Sequence, residues 1–228
     1  MNFQRLLPAN VSLLAGDSVY FSGTILDENR IFMLAGLTGA IGGGKSTALA
    51  AFAACNARIC DADRMCHELY GEAAVVARLK NHWGENCLTD GLPDRQKIAR
   101  IVFRNQQELD FLTGVLYPDL EKKMVAVRAE AAQPGSPVVV VEIPLLFECG
   151  WEKYCDVTVA LWTGTALRHE RLTGRGMTPE EVARREAKQW SEDRKLEAAD
   201  FALINYGTRQ DLEKQCKILM DIWKDQTK

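Results

Sequence analysis

The sequence has no apolar run near the length of about 20 residues that a bilayer-spanning helix requires. Its first residues also lack the basic start and unbroken apolar core of a signal peptide, because Pro8, Asn10 and Asp17 interrupt them. The formal net charge is only −3, so the chain lacks the excess of positive charge typical of nucleic-acid-binding proteins. We therefore expect no membrane partner and no nucleic acid partner.

Cysteine motifs are also missing. The seven cysteines are an odd number, and no two of them form a C-x-x-C pair. In a chain of 228 residues this pattern disfavours both a disulfide framework and a zinc site. Reduced cysteines packed as small apolar side chains are the simpler interpretation, and they indicate a cytoplasmic protein. The sequence also shows no internal repeat and no low-complexity tract.

What is present is a glycine-rich loop between an apolar segment and a helix-forming segment. Residues 39–46 read GAIGGGKS and match G-x-x-x-x-G-K-[ST], the phosphate-binding P-loop. Residues 31–37 are apolar, and residues 47–54 favour a helix. In such a loop, backbone N–H groups face phosphate oxygens, Lys45 reaches the β- and γ-phosphates, and Ser46 ligates Mg²⁺. We expect ATP and Mg²⁺ as cofactors; the alternative is a glycine-rich turn that matches by chance.

The strands and helices predicted along the chain define the fold class. Residues 56–60, 137–147, 156–162 and 202–205 read as further strands, and the valines at 138–141 indicate a strand buried on both faces. Strands alternating with helices predict an α/β fold, a P-loop NTPase three-layer α/β/α arrangement with a parallel sheet. Residues 64–133 are predicted to be helical, with Pro118 in the first turn of a helix over 119–132. Thr178 and Thr208 begin capping motifs of two later helices.

Two carboxylates stand where strands of this sheet end. Asp63 follows the strand at 56–60 and is a candidate to orient an acceptor hydroxyl and take its proton. The alternative for Asp63 is a cap on the helix that begins at Arg64. Glu142 ends the valine strand, where P-loop proteins usually carry an Asp that holds Mg²⁺ through water. The alternative for Glu142 is a strand-end acid without a role.

A polar, arginine-rich segment, residues 164–195, separates two predicted strands and is a candidate lid. Arg171 and Arg175 lie four residues apart, and lid arginines neutralise charge on a transferring phosphoryl group. The alternative is a solvated charged face. We expect the lid role for this pair and the solvated face for Arg168, Arg184 and Arg185.

Several motifs in order give the chain a resemblance to one family. They are GLTGAIGGGKST at 36–47, Asp61-Ala62-Asp63, Asp94-Arg95, IVF at 101–103, IPLLFE at 143–148, Glu170-Arg171-Leu172, Arg175, Gln189, Ala199-Asp200 and Asn205. From about Met33 to the closing helix, the sequence resembles the dephospho-coenzyme A kinases. The resemblance implies transfer of the ATP γ-phosphate to the ribose 3′-hydroxyl of dephospho-CoA, in the biosynthesis of coenzyme A.

The resemblance also implies a division of labour. It gives a nucleotide-binding core at 31–65, 131–163 and 196–228, a helical CoA-binding insertion at 66–130, and the lid at 164–195. Asp63 would be the base, Lys45 part of the phosphate cradle, Arg171 and Arg175 lid residues, and Ser46 and Glu142 the metal site. The implied nucleotide-binding residues are Gly39, Ala40, Ile41, Gly42, Gly43, Gly44, Lys45, Ser46, Thr47 and, near the adenine, Asn205.

Residues 1–30 have no counterpart in this resemblance. The alternation at 19–25 suits a small regulatory or oligomerising hairpin, but we favour an appendage of unknown role, because the first convincing core strand follows it.

The sequence also departs from the family pattern. The family usually has Asp at Glu142, His at Tyr117 and Asp at Ile204. The alternatives to a dephospho-CoA kinase are another small-molecule P-loop kinase with a nucleoside or nucleotide acceptor, a non-catalytic P-loop regulatory protein, and an inactive paralogue. A guanine-specific switch is disfavoured because no Asn-Lys-x-Asp motif occurs. The sequence leaves the oligomeric state open.

Overall fold

A computed structural model describes residues 11–14, 19–22, 34–103 and 105–225. The chain divides into two compact units, one formed by Met1–Cys60 with Arg128–Lys228 and the other by Asp61–Val127. The first unit carries a seven-stranded sheet, and the second carries helices and a two-stranded hairpin.

The strands of the large sheet come from both ends of the chain. They are β1 Val11–Leu14, β2 Val19–Ser22, β3 Leu34–Gly39, β4 Arg58–Asp61, β7 Val139–Glu142, β8 Val157–Trp162 and β9 Phe201–Ile204. The strand order is β1-β2-β9-β8-β3-β7-β4. Strand β3 pairs in parallel with both β7 and β8, and β8 pairs in parallel with β9. The predicted α/β fold with a mostly parallel sheet is confirmed.

Helices follow the strands of the first unit. They are α1 Lys45–Ala54, α6 Thr165–Thr173, α7 Pro179–Glu186, α8 Glu192–Ala198 and α9 Arg209–Asp225, with α5 Gln106–Ala131 entering from the second unit. Val140 of β7 and the apolar faces of α1 and α9 share one core, where the Phe52 and Trp223 rings stack at 5.7 Å. Burial of this apolar surface is the main stabilising term of the unit.

Both predicted capping motifs form. The Thr178 hydroxyl accepts from the Glu181 N–H at 3.3 Å, and the Glu181 carboxylate accepts from the Thr178 N–H at 3.2 Å. Thr208 and Asp211 exchange the same kind of hydrogen bonds at the start of α9. These contacts satisfy N–H groups that a helix start otherwise leaves unpaired.

The second unit corrects two predictions. Residues 64–133 are not continuously helical: α2 Ala62–Leu69 and α3 Ala73–Trp83 are followed by a short hairpin, β5 Leu88–Thr89 and β6 Leu92–Pro93, before α4 Arg95–Val102. Pro118 does not begin a helix but lies inside α5. A proline leaves the carbonyl four residues earlier without its helical N–H. The Arg78 guanidinium donates to that carbonyl, Gly114 O, at 3.3 Å.

At the N-terminal side, β1 and β2 form an antiparallel hairpin, and β2 pairs with β9, with Tyr20 opposite Ala202. Residues 23–25 of the predicted alternating run lie outside the described residues, as do residues 31–33 of the predicted core strand, which continues to Gly39. No helix in the described ranges is both long enough and apolar enough to cross a bilayer. The seven cysteines all lie in these ranges and are thiols, not disulfides.

Candidate active site

The phosphate loop connects β3 to α1, and its glycines are required by geometry. Gly42 and Gly44 have φ values of 77° and 92°, which side chains disfavour. A Cβ on Gly44 would lie 2.2 Å from Asn205 Nδ2, and one on Gly42 would lie 2.9 Å from Leu172 Cγ. The loop is therefore closely surrounded by residues that come much later in the chain.

Lys45 is the first residue of α1, so its ammonium lies where the loop meets the positive end of the helix dipole. Its Nζ donates to Gly39 O at 3.1 Å and Ala40 O at 3.4 Å, and it lies 3.8 Å from Glu142 Oε1. The structure thus brings Lys45 and Glu142 together at the loop. Ser46 follows in the first turn of α1 and is exposed.

Asn205 and Arg171 also reach the loop. Asn205 is buried, and its Nδ2 donates to Gly43 O at 2.7 Å. Arg171 Nη2 donates to Asn205 O at 3.5 Å, and Arg171 Nη1 lies 3.5 Å from the position of a Cβ on Gly44. Arg175 lies just beyond the end of α6 and is exposed. One of the two predicted lid arginines therefore lies against the loop, and the other faces solvent.

Arg168 corrects a prediction, because it is not on a solvated face. It is 5% exposed and pairs with two carboxylates, Glu186 and, at 3.0 Å, Glu192. Burial opposes the charge of Arg168, but the hydrogen bond to Glu186 and the attraction of Glu192 outweigh it and raise the guanidinium pKa. Arg184 and Arg185 are exposed, as predicted.

A second buried pair, missed by sequence reasoning, lies behind the loop. Lys195 Nζ contacts Glu148 Oε1 at 3.0 Å, Pro144 O at 2.7 Å and Thr38 Oγ1 at 3.1 Å. Burial lowers the pKa of Lys195, and the pairing with Glu148 offsets part of that effect. Lys195 therefore connects the end of β3, which leads into the phosphate loop, with the segment just after β7, which ends at Glu142. Glu148 belongs to a motif quoted above, but nothing local in the sequence predicts its partner.

Asp63 lies in the second unit, in the first turn of α2, where its side chain is exposed. The cap of this helix is Asp61, whose Oδ1 accepts from the Arg64 N–H at 3.1 Å. The helix-capping role that we considered as the alternative for Asp63 is therefore filled by Asp61. Among the departures from the family pattern, Tyr117 is half-buried in α5, and Ile204 is buried with its N–H and C=O bonded to Gln215.

The mostly parallel sheet, the phosphate loop and the lysine at its end define a P-loop nucleotide-binding protein. Comparison with known proteins narrows this class. The family model for dephospho-CoA kinase matches residues 33–211. Dephospho-CoA kinase from Bacillus licheniformis is 34% identical over 196 residues, which are 85% of this chain and 98% of the relative. The Enterococcus faecalis enzyme is 35% identical over 185 residues, covering 80% of this chain and 92% of the relative.

Solved structures agree. The Thermus thermophilus protein TT1252 superposes with a TM-score of 0.72 at 32% identity, covering 83% of this chain and 96% of that one. Dephospho-CoA kinase from Campylobacter jejuni superposes with a TM-score of 0.66 at 25% identity, covering 85% of this chain and 98% of that one. The chain belongs to the dephospho-CoA kinase family.

Proposed function

We propose that this chain phosphorylates the ribose 3′-hydroxyl of dephospho-CoA, with ATP as the phosphoryl donor. The observation that carries the proposal is the placement of Lys45 Nζ at a phosphate loop, 3.8 Å from Glu142, in a member of the dephospho-CoA kinase family. The products are coenzyme A and ADP.

In the proposed mechanism, the acceptor oxygen attacks the γ-phosphorus while the bond from that phosphorus to the β,γ-bridging oxygen breaks. Asp63 takes the proton of the 3′-hydroxyl, and ADP leaves with the bridging oxygen. Lys45 and the loop N–H groups stabilise the charge that develops on the phosphoryl oxygens. Arg171, already at the loop, and Arg175 add positive charge when the lid closes, and Asn205 borders the nucleotide site.

Mg²⁺ fits the oxygen donors available at the loop, the Ser46 hydroxyl and the Glu142 carboxylate. The described part of the chain contains no cluster of three or more His, Cys, Asp or Glu side chains suited to a metal. The nucleotide phosphates would therefore supply most ligands, as is usual for Mg²⁺ in kinases. The bound ion would neutralise charge on the β- and γ-phosphates.

The second unit offers a place for the acceptor. A cavity of about 490 Å³ lies there. Its walls include Arg64, which pairs with Glu68, and His67 beside Tyr70, Leu92 and Pro93. Cationic and aromatic groups of this kind suit the phosphates and the apolar arm of dephospho-CoA. We assign residues 66–130 to acceptor binding, residues 164–195 to the lid and the remaining core to ATP.

We propose no nucleic acid partner and no membrane partner for this protein. The reduced cysteines of the chain suit a cytoplasmic location.

One experiment tests the proposed function. The protein is incubated with ATP, Mg²⁺ and dephospho-CoA, and the product is identified by mass as coenzyme A. Parallel reactions replace dephospho-CoA by nucleosides and nucleotides. Coenzyme A formed with no phosphorylation of the other acceptors supports the proposal. Phosphorylation of a nucleoside or nucleotide instead identifies a different small-molecule kinase, and no turnover of any acceptor favours a regulatory protein or an inactive paralogue.

A further inference from the structure

The phosphate loop is held by side chains to which the proposed reaction gives no role. Both backbone polar groups of Ile41, inside the loop, are bonded to residues of the candidate lid. The Ile41 N–H donates to Gln189 Oε1 at 3.1 Å. The Ile41 carbonyl accepts from Arg168 Nη1 at 3.2 Å. Ile41 therefore has its backbone orientation set from α6 and from the segment that follows α7.

The guanidinium that reaches Ile41 is itself held in place. Arg168 pairs with Glu186 of α7 and Glu192 of α8, and the Arg168 and Glu192 side chains are each 6% exposed. The Glu192 oxygens also accept from the N–H groups of Thr163 at 3.0 Å and Gly164 at 3.2 Å. Two carboxylates neutralise the charge of the Arg168 guanidinium within the protein. We therefore assign Arg168 no contact with phosphate, in contrast to the role proposed for Arg171.

Packing alone does not fix the loop on this side. A cavity of about 400 Å³ borders Ala40 and is also lined by Arg168, Glu186, Gln189 and Glu192. A loop that borders open space moves more easily than one enclosed by close-packed side chains. The hydrogen bonds to Ile41 restrain this part of the loop in addition to those that Lys45 makes to the Gly39 and Ala40 carbonyls and Asn205 makes to the Gly43 carbonyl.

We propose that Arg168 is a positioning residue for the phosphate loop, acting through the Ile41 carbonyl, and that Glu186 and Glu192 hold its guanidinium in the required orientation. The inference rests on the kinase function proposed above. Displacing a loop by about 1 Å can lower a rate about 100-fold, because the loop N–H groups must match the transferring phosphoryl group. The effect falls on the ATP side of the reaction and not on the acceptor.

Three variants test the proposal. Arg168→Gln combined with Glu186→Gln and Glu192→Gln removes all three charges, so that no lone carboxylate stays buried. Arg168→Lys keeps a charge but not the planar fork that serves several acceptors at once. Gln189→Met removes the other bond to Ile41 and leaves the charged cluster intact. The control is His169→Gln, because His169 is an exposed neighbour that contacts Glu186 but not the loop.

We expect kcat to fall about 10- to 100-fold in the triple variant and by less in the other two, with the KM for dephospho-CoA unchanged. Amide exchange of residues 39–44, measured without nucleotide, should become faster in all three variants and not in the control. Lower melting temperatures with wild-type kcat and wild-type loop exchange would mean that Arg168 only stabilises the fold. A wild-type protein that makes no coenzyme A would instead refute the proposed function, while faster loop exchange in the variants would still support the positioning role.

Discussion

At the scale of single residues, Asp61 caps α2, and Asp63, the base in the proposed mechanism, lies two positions later. Asp61 accepts from the Arg64 N–H, whereas Asp63 is exposed in the first turn of α2. We predict that Asp63→Asn retains ATP binding and wild-type thermal stability but loses turnover, since an amide cannot take the proton. Asp61→Ala should lower stability by about 1 kcal/mol, the usual effect of removing a helix cap. Asp63→Asn with unchanged kcat and a lower melting temperature would contradict this assignment.

Lys45 is the residue to which we assign stabilisation of the transferring phosphoryl group. Its ammonium lies against the Gly39 and Ala40 carbonyls and near Glu142, so its charge is directed at the loop and not at the core. We predict that Lys45→Ala lowers kcat/KM about 100- to 1,000-fold, since removal of a charge aimed at the transition state typically costs a few kcal/mol. Steady-state kinetics with dephospho-CoA measure this, with melting temperature as the control. Activity close to that of the wild type would remove the phosphate-binding role from this loop.

The buried Lys195–Glu148 pair gives a prediction about pH. Glu148→Gln leaves the Lys195 ammonium buried without its partner, which should destabilise the protein by roughly 3 kcal/mol at neutral pH. Burial already lowers the pKa of Lys195 in the folded protein, and loss of Glu148 lowers it further. Between the folded and unfolded pKa values the unfolded chain binds more protons, so stability rises with pH in that window.

The loss in unfolding free energy caused by Glu148→Gln should therefore be largest near pH 7 and smaller as the pH approaches the ordinary lysine pKa. Denaturant titrations of both proteins at several pH values measure this difference. Because the variant and the wild type are measured at the same pH values, the titration of other groups cancels from the difference between their unfolding free energies. A loss that stays constant or grows as the pH rises would show that Lys195 stays charged without Glu148.

At the scale of elements, the sequence predicted the features that depend on residues close together in the chain. The glycine loop and the capping motif at Thr178 depend on neighbouring residues, and both form as predicted. The valine strand also forms, but it ends at Glu142 and not at the predicted Phe147. Two features were not predictable in this way. Pro118 is tolerated inside α5, where Arg78 bonds the Gly114 carbonyl, and Arg168 is buried because Glu186 and Glu192 fold against it. Both depend on partners distant in sequence, whose approach no periodicity reveals.

The candidate lid shows the same limit. The sequence predicts a polar lid segment at residues 164–195, and the two ends of that segment contact the core without a nucleotide. Arg168 and Gln189 bond Ile41, and Lys195 bonds Thr38. The turn between α6 and α7, with Gly174 and Gly176, is exposed. Few buried contacts there mean easy local opening, whereas the ends of the segment are restrained.

We therefore predict that an ATP analogue with Mg²⁺ slows hydrogen exchange most at residues 171–178, because nucleotide phosphates attract Arg171 and Arg175. Exchange in α8 and in the valine strand β7 should change less. Arg171→Ala and Arg175→Ala should each lower kcat more than they weaken dephospho-CoA binding. The matched control is Arg185→Ala, an exposed arginine of α7. Exchange unaffected by nucleotide, with wild-type kcat in both variants, would leave these two arginines as solvated surface charges.

At the scale of the whole molecule, the N-terminal strands β1 and β2 lie outside the part of the chain that matches the family model. The family match begins at residue 33, and 98% of the Bacillus licheniformis enzyme aligns with 85% of this chain. In this chain β2 nevertheless pairs with β9, whose residues Phe201, Ala202 and Leu203 are at most 1% exposed. The hairpin thus covers an edge of the sheet that would otherwise present unpaired backbone groups.

A chain that starts at Met33 should therefore fold and phosphorylate dephospho-CoA with wild-type kcat, because neither β1 nor β2 contributes a residue to the candidate site. It should also unfold at a lower temperature and associate more readily at high concentration, since β9 becomes an exposed edge strand. The control is a chain that starts at Asn10 and keeps both strands. Kinetics, thermal melting and light scattering compare the three proteins. An inactive or insoluble chain from Met33, beside an active chain from Asn10, would show that the hairpin is part of the folding unit and not an appendage.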